Sequence, residues 1–170
     1  MASNGFPSGD FFITNVRSGL VITAVPGGVK TLGSANNRGG DEITYTRTAH
    51  PQPLLTTPLP SGKNGLQGWY YDTSDSRNLL VCRTKFDVRG RFVLQAQEND
   101  WPTMKGAGAN GLSAWKMEDG LISSDTDEPY FLVARSDEED GTYTLDCVQK
   151  SRLFWPQFHE NTKWEVTPFS

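Results

Sequence analysis

Apolar and polar positions alternate with a period of two along much of this chain. In TYTLDCV (142–148), Tyr143, Leu145 and Cys147 fall on one face, and Thr144, Asp146 and Val148 fall on the other. Similar short runs occur in FFITNVRSG (11–19), LVITAV (20–25), LLVCR (79–83), RFVLQAQ (91–97) and YFLVAR (130–135). Successive side chains on a strand point to opposite faces, so such runs predict half-buried β-strands. No long stretch has the three-and-four apolar spacing of an amphipathic helix. Ser18-Gly19, Arg89-Gly90 and Asp140-Gly141 fall between neighbouring runs, where glycine can take the positive φ of a tight hairpin. The pattern predicts an all-β chain of many short strands, and 17 glycines and 10 prolines suit its many turns. At 170 residues it suits one domain, 1–170, with a core of its own.

The runs repeat in order. A first unit, about 11–48, ends in EITYTRT (42–48). A second, 79–118, continues through WPTMKG (101–106) to SAWKME (113–118). A third, 130–167, continues through WPQFHE (155–160) to TKWEVT (162–167). Setting Ile22, Leu94 and Leu145 in register brings Tyr45, Trp115 and Trp164 to matching places, which reads as core. A unit of four short strands cannot close a core alone, whereas three around a pseudo-threefold axis can. Twelve strands arranged this way form a β-trefoil.

At this level the chain resembles the ricin-B-like β-trefoil family, in particular small lectins and protease inhibitors of fungal fruiting bodies. The resemblance is carried by repeat shape over nearly the whole chain, by the ITNVRSGLVIT opening, by Leu145-Asp146 and by Asn161-Thr162-Lys163-Trp164. The family's Q-x-W glutamine is replaced by Thr162, Ser113 and Ile43 in the three units. The family's sugar sites use an Asp at the end of the second strand, an Asn before the last strand and an aromatic that stacks on the ring. By resemblance, the third unit supplies Asp146, Trp155 or Phe154, and Asn161, with His159 close by in sequence. The second unit has Gln95, Trp101 and Asn110, an altered second site. The first unit has Thr23 and no aromatic. A carboxylate, an amide and flat aromatic faces suit a sugar, which offers hydroxyls at its edge and C–H bonds on its face. The expected partners are glycans or glycoproteins. A single weak site would need a homodimer or a second site for useful avidity.

Residues 49–78, AHPQPLLTTPLPSGKNGLQGWYYDTSDSRN, fall outside this repeat and read as a Pro-rich insertion. Its prolines rule out helix and central strand and leave a stiff, extended segment. A rigid loop on a trefoil is what a Kunitz-like protease inhibitor presents, so the alternative partner is a protease. Leu54, Leu55 or Lys63 in 49–66 would then enter its pocket. The other reading is a loop that wraps the barrel, anchored by Trp69, Tyr70 and Tyr71.

Charge and chemistry narrow the rest. The net charge is −4 with acids and bases interleaved, so there is no basic stripe for nucleic acid. No apolar run is long enough to cross a membrane. The opening MASNGFPSGD lacks the basic and apolar segments of a secretory signal, so the expectation is a cytoplasmic protein. Asp125–Glu128 and Asp137–Asp140 lack the ligand alternation of a calcium loop and read as solvated turns. Cys82 and Cys147 lack metal-site spacing and read as buried thiols, a disulfide remaining open. The two histidines, His50 and His159, come with no nucleophile motif, and no glycine loop precedes a helix. No enzyme, metal or cofactor is expected.

Overall fold

Strands make up most of the regular structure, and the order in which they pair fixes where any site can lie. The computed structural model describes residues 4–25, 51–59, 65–85, 90–97, 101–137, 142–153 and 161–168. Twelve strands run through these residues: β1 (Asp10–Asn15), β2 (Val21–Val25), β3 (Gln52–Thr56), β4 (Trp69–Asp72), β5 (Leu79–Lys85) and β6 (Arg91–Gln95) form the first half. The second half is β7 (Thr103–Gly106), β8 (Trp115–Glu118), β9 (Leu121–Ser124), β10 (Tyr130–Asp137), β11 (Thr142–Gln149) and β12 (Trp164–Pro168). Among the described residues there is no α-helix, only single 3₁₀ turns at Gly65–Gln67, Ser74–Ser76 and Lys150–Arg152. The all-β expectation holds.

Six strands meet side by side in a ring. Antiparallel ladders join β1 to β4, β4 to β5, β8 to β9, and β12 back to β1. Single backbone bonds close the other two seams. Trp115 N–H donates to Asn78 O beside β5 at 3.0 Å, and Trp164 N–H donates to Gly120 O beside β9 at 2.8 Å. The remaining strands form three hairpins, β2–β3, β6–β7 and β10–β11. The first strand of each hairpin pairs with a ring strand, through Thr14↔Val21, Val81↔Val93 and Phe131↔Ser123. Strand β3 touches both β7 and β11, so the hairpins converge on one another.

Closing the ring abolishes exposed barrel edges and leaves one face of every strand to fill the interior. Phe11 and Ile13 alternate inward along β1 and join Ile22, Leu80, Leu94, Leu132, Leu145 and Cys147 in one main core. Three buried tryptophans complete it. Trp69, Trp115 and Trp164 each begin a ring strand, and each donates its indole N–H to a hairpin carbonyl at 2.9 Å: Ile22 O, Leu94 O and Leu132 O respectively. An indole fully removed from water needs such a partner.

These bonds redraw the sequence register. Leu132 of β10, not Leu145 of β11, plays the part of Ile22 and Leu94. Trp69 takes the place expected for Tyr45, which lies outside the described residues. Alternation alone could not separate β10 from β11, because both are long apolar runs on one hairpin. The stretch 49–78, expected to stand outside the strand pattern, carries both β3 and β4. Pro53 is tolerated in β3 because that strand has a ladder on one side only, to β2. With Trp69 in place, Gln67-Gly68-Trp69 supplies the Q-x-W triplet that the sequence reading found missing.

Gln67 is fully buried, and its amide is consumed by the fold. Nε2 donates to Thr57 O at 2.8 Å and approaches the Thr56 and Thr23 hydroxyls, while Oε1 accepts from Leu59 N–H at 2.9 Å. Gln67→Ala strands a part-buried carbonyl and a buried N–H together. It should lower unfolding free energy by about 2–4 kcal/mol, read from the urea midpoint at constant slope.

Cys82 and Cys147 are buried free thiols. Burial is the main cause that pushes each from 9.0 up to about 12. A raised folded-state value means that the native chain holds its thiol protons more tightly than the unfolded chain. Their contribution is therefore complete below about pH 9 and is lost as pH rises towards 12. Stability measured by urea unfolding should fall above about pH 9, by up to ~1.4 kcal/mol per pH unit per cysteine. Cys82→Ala should remove about half of that slope.

Candidate functional site

Asp146 stands in β11 directly opposite Val133 of β10. Strand alternation turns it away from Leu145 and Cys147, which face the main core, and onto the outer face of the hairpin. There its neighbours include Val133 and Val148, which with Leu153 form a separate small apolar cluster. The carboxylate is buried, and its Oδ2 lies 3.9 Å from Nη1 of the largely exposed Arg135. A pair this long and half wet contributes little, under ~1 kcal/mol.

The resemblance placed an acid at the end of a second strand. The tryptophan bonds make β10 the counterpart of β2 and β6, and Val133 follows Leu132 there, as Thr23 follows Ile22 and Gln95 follows Leu94. Asp146 therefore occupies the facing strand of the same hairpin. This corrects its strand but keeps it on the outer face, across one ladder rung from the expected position.

Asn161 is held on the other side of β10. Its carbonyl accepts from Ala134 N–H at 3.0 Å and from Asn15 Nδ2 at 3.2 Å. Its own Oδ1 is buried and takes no hydrogen bond from the described residues. Asn15 is itself fully buried, and its Oδ1 accepts from both the amide and the hydroxyl of Ser18. Asn15 thus ties the β1–β2 turn to the segment before β12 and positions Asn161. Sequence reasoning passed over Asn15. Its only sign was an Asn ending an alternating strand three residues before a Ser-Gly turn. Phe154, Trp155 and His159 lie outside the described residues.

The second-site residues separate. Gln95 is buried, and its amide is spent locally: Oε1 accepts from Ser113 N–H at 2.9 Å, and Nε2 donates to Gly111 O at 3.1 Å. It braces the loop leading into Trp115. Asn110 is exposed in that loop, and Trp101 is 62% exposed before β7. Of the residues named for an inhibitory loop, Leu55 is in the core, which removes it as a group entering a protease pocket. Leu54 is 40% exposed, but β3 holds it in a five-residue ladder with β2 rather than on a free loop. Lys63 lies outside the described residues. Leu54 and Trp101, remote in sequence, border one cavity of about 480 Å³. Among the described residues no three His, Cys, Asp or Glu side chains gather as a metal site.

This strand order, a six-strand ring carrying three hairpins, is that of a β-trefoil, and solved structures bear it out. The chain is similar to an earthworm lectin C-terminal domain mutant in complex with 6'-sialyllactose, at 14% identity and a TM-score of 0.60, over 95% of this chain and 98% of that one. It is similar to the β-trefoil lectin of the Vibrio vulnificus hemolysin/cytolysin with N-acetyl-D-lactosamine bound, at 14% identity and 0.58, over 97% and 98%. It also matches the mdaA-1 domain, at 14% identity and 0.62, over 96% and 91%. At such identity the likeness establishes the fold. No protein-family model and no curated protein sequence matches the chain.

Since the Gln95 amide is committed to backbone partners, Gln95→Ala should act on stability. A loss of about 1–2 kcal/mol in urea unfolding is expected from two part-buried hydrogen bonds.

Proposed function

We propose that this chain is a carbohydrate-binding lectin of the ricin-B-like type. It is built from three four-strand units, 10–72, 79–118 and 121–168, and holds sugar chiefly on the third. The observation that carries the reading is the full-length likeness to trefoils solved with glycans, joined to a carboxylate on the outer face of the β10–β11 hairpin. Asp146 accepts hydrogen bonds from sugar hydroxyls, and the Asn161 side chain, anchored through its own backbone, adds an amide. Trp155 or Phe154 is the residue assigned to stack on the sugar ring, with His159 close by in sequence.

The energetics suit a lectin of low intrinsic affinity. One aromatic stack contributes on the order of 1 kcal/mol, and a charge-assisted hydrogen bond roughly 1.5–3 kcal/mol. Single-site dissociation constants then fall between millimolar and tens of micromolar, by order of magnitude. A glycan array probed with the wild-type chain should show a defined set of bound glycans. Asp146→Ala should weaken those signals at least about tenfold with an unchanged unfolding midpoint. A blank wild-type array would end the lectin reading; full binding by the folded Asp146→Ala chain would move the site elsewhere.

A further inference from the structure

The cavity shared by Leu54 and Trp101 lies where β3 meets β7 and β11, the convergence of the three hairpins. Among the described residues, neither Asp146 nor Asn161 of the third-unit site lines it. Three large apolar side chains stand exposed among the described residues, Val16, Leu54 and Trp101, and two of the three border this single cavity. Exposed apolar surface gathered at one concavity marks a contact site, whereas scattered residues do not. The volume of about 480 Å³ falls within the range of small-molecule sites, roughly 300–1,000 Å³.

Its walls specify the ligand. Pro51, Pro53 and Pro102 make stiff apolar sides, and Met104 and Leu145 form part of the lining. The polar lining is Gln52, Gln97, Thr103 and Thr144, all neutral, with Gln97 Nε2 donating to the Thr103 hydroxyl at 3.1 Å. The described lining supplies no charged side chain to offset the desolvation of an ion. A purely apolar chain would cover two amides and two hydroxyls without answering their hydrogen bonds. A pyranose matches both features, with C–H bonds for an indole face and hydroxyls for amide and hydroxyl groups.

From this geometry we infer that the hairpin convergence is a second binding site, for an uncharged saccharide of one or two rings stacked on Trp101. It is independent of Asp146. It gives one chain two sites of different chemistry, one with a carboxylate and one whose described lining is neutral.

Met104 is a built-in reporter, since it lines the cavity while Met117 lies on β8 outside it. The full chain carrying ¹³C-methyl methionine is titrated with N-acetyl-D-lactosamine, GalNAc and maltose to about 50 mM, well above a millimolar dissociation constant. At least one sugar should shift the Met104 methyl saturably and leave Met117 in place. Trp101→Ala, whose side chain is mostly exposed and so tolerates removal, should weaken this response about tenfold. Trp101→Phe should retain most of it, and Asp146→Ala all of it. A Met104 signal unmoved by every sugar overturns the inference even if the glycan array is positive. A signal moved by 1-decanol and by no sugar overturns the saccharide assignment. A sugar response that survives Trp101→Ala and vanishes in Asp146→Ala reports only the third-unit site and overturns it too. A blank array with a saturable, Trp101-dependent Met104 shift leaves this site standing without the other.

Discussion

The bond on which this architecture turns is a buried indole N–H reaching across to a hairpin carbonyl. Trp69, Trp115 and Trp164 each fill the main core with a large ring while anchoring a ring strand to a hairpin at 2.9 Å. Burying the ring removes water from both donor and acceptor, so the bond cannot be traded for solvent without a penalty. Packing and hydrogen bonding therefore require the same geometry. They set where each hairpin sits on the barrel and thus where the outer hairpin faces and their convergence lie.

Each tryptophan is preceded by a loop that must deliver it at the right height, and a buried amide braces each loop differently. Gln67 acts from within its own loop, reaching Thr57 O and Leu59 N. Gln95 acts from the neighbouring hairpin strand, on Ser113 N and Gly111 O. Asn15 acts from β1 at the far end of the chain, on the carbonyls of Asn161 and Lys163. Because a different buried amide braces each loop, no single glutamine recurs along the sequence. A Q-x-W pattern therefore occurs once, at Gln67-Gly68-Trp69, and is absent before Trp115 and Trp164, although all three tryptophans make the same bond.

The same division separates polar groups spent on the fold from the groups proposed to meet a ligand. Gln95 resembles a site residue in sequence but is committed to backbone. Asp146 stands on an outer face beside small apolar side chains, where a carboxylate is a poor choice for packing alone. Trp101 and Leu54 remain exposed where the barrel could have covered them with polar residues. Both proposed sites lie at these departures from the simplest packing.

Period-two alternation, glycine turns and the absence of helical spacing determined an all-β chain, because those signals depend only on which neighbours share a face. Alternation also put Asp146 opposite Leu145 in facing, and matching the repeated runs put Trp115 and Trp164 in the core. Register was beyond their reach. β10 and β11 are equally good strands by pattern, and only the Trp164 bond to Leu132 shows which one matches β2 and β6. Likewise the prolines of 51–60 report extended backbone, but the pairing of Gln52–Thr56 with Val21–Val25 is a contact between residues about thirty positions apart. Tertiary structure alone decided that Leu55 is inside, that Asn15 holds Asn161, and that Leu54 meets Trp101 across a cavity. The physical reason is common to all three: local sequence fixes the direction of a side chain, and only the folded chain supplies what it meets.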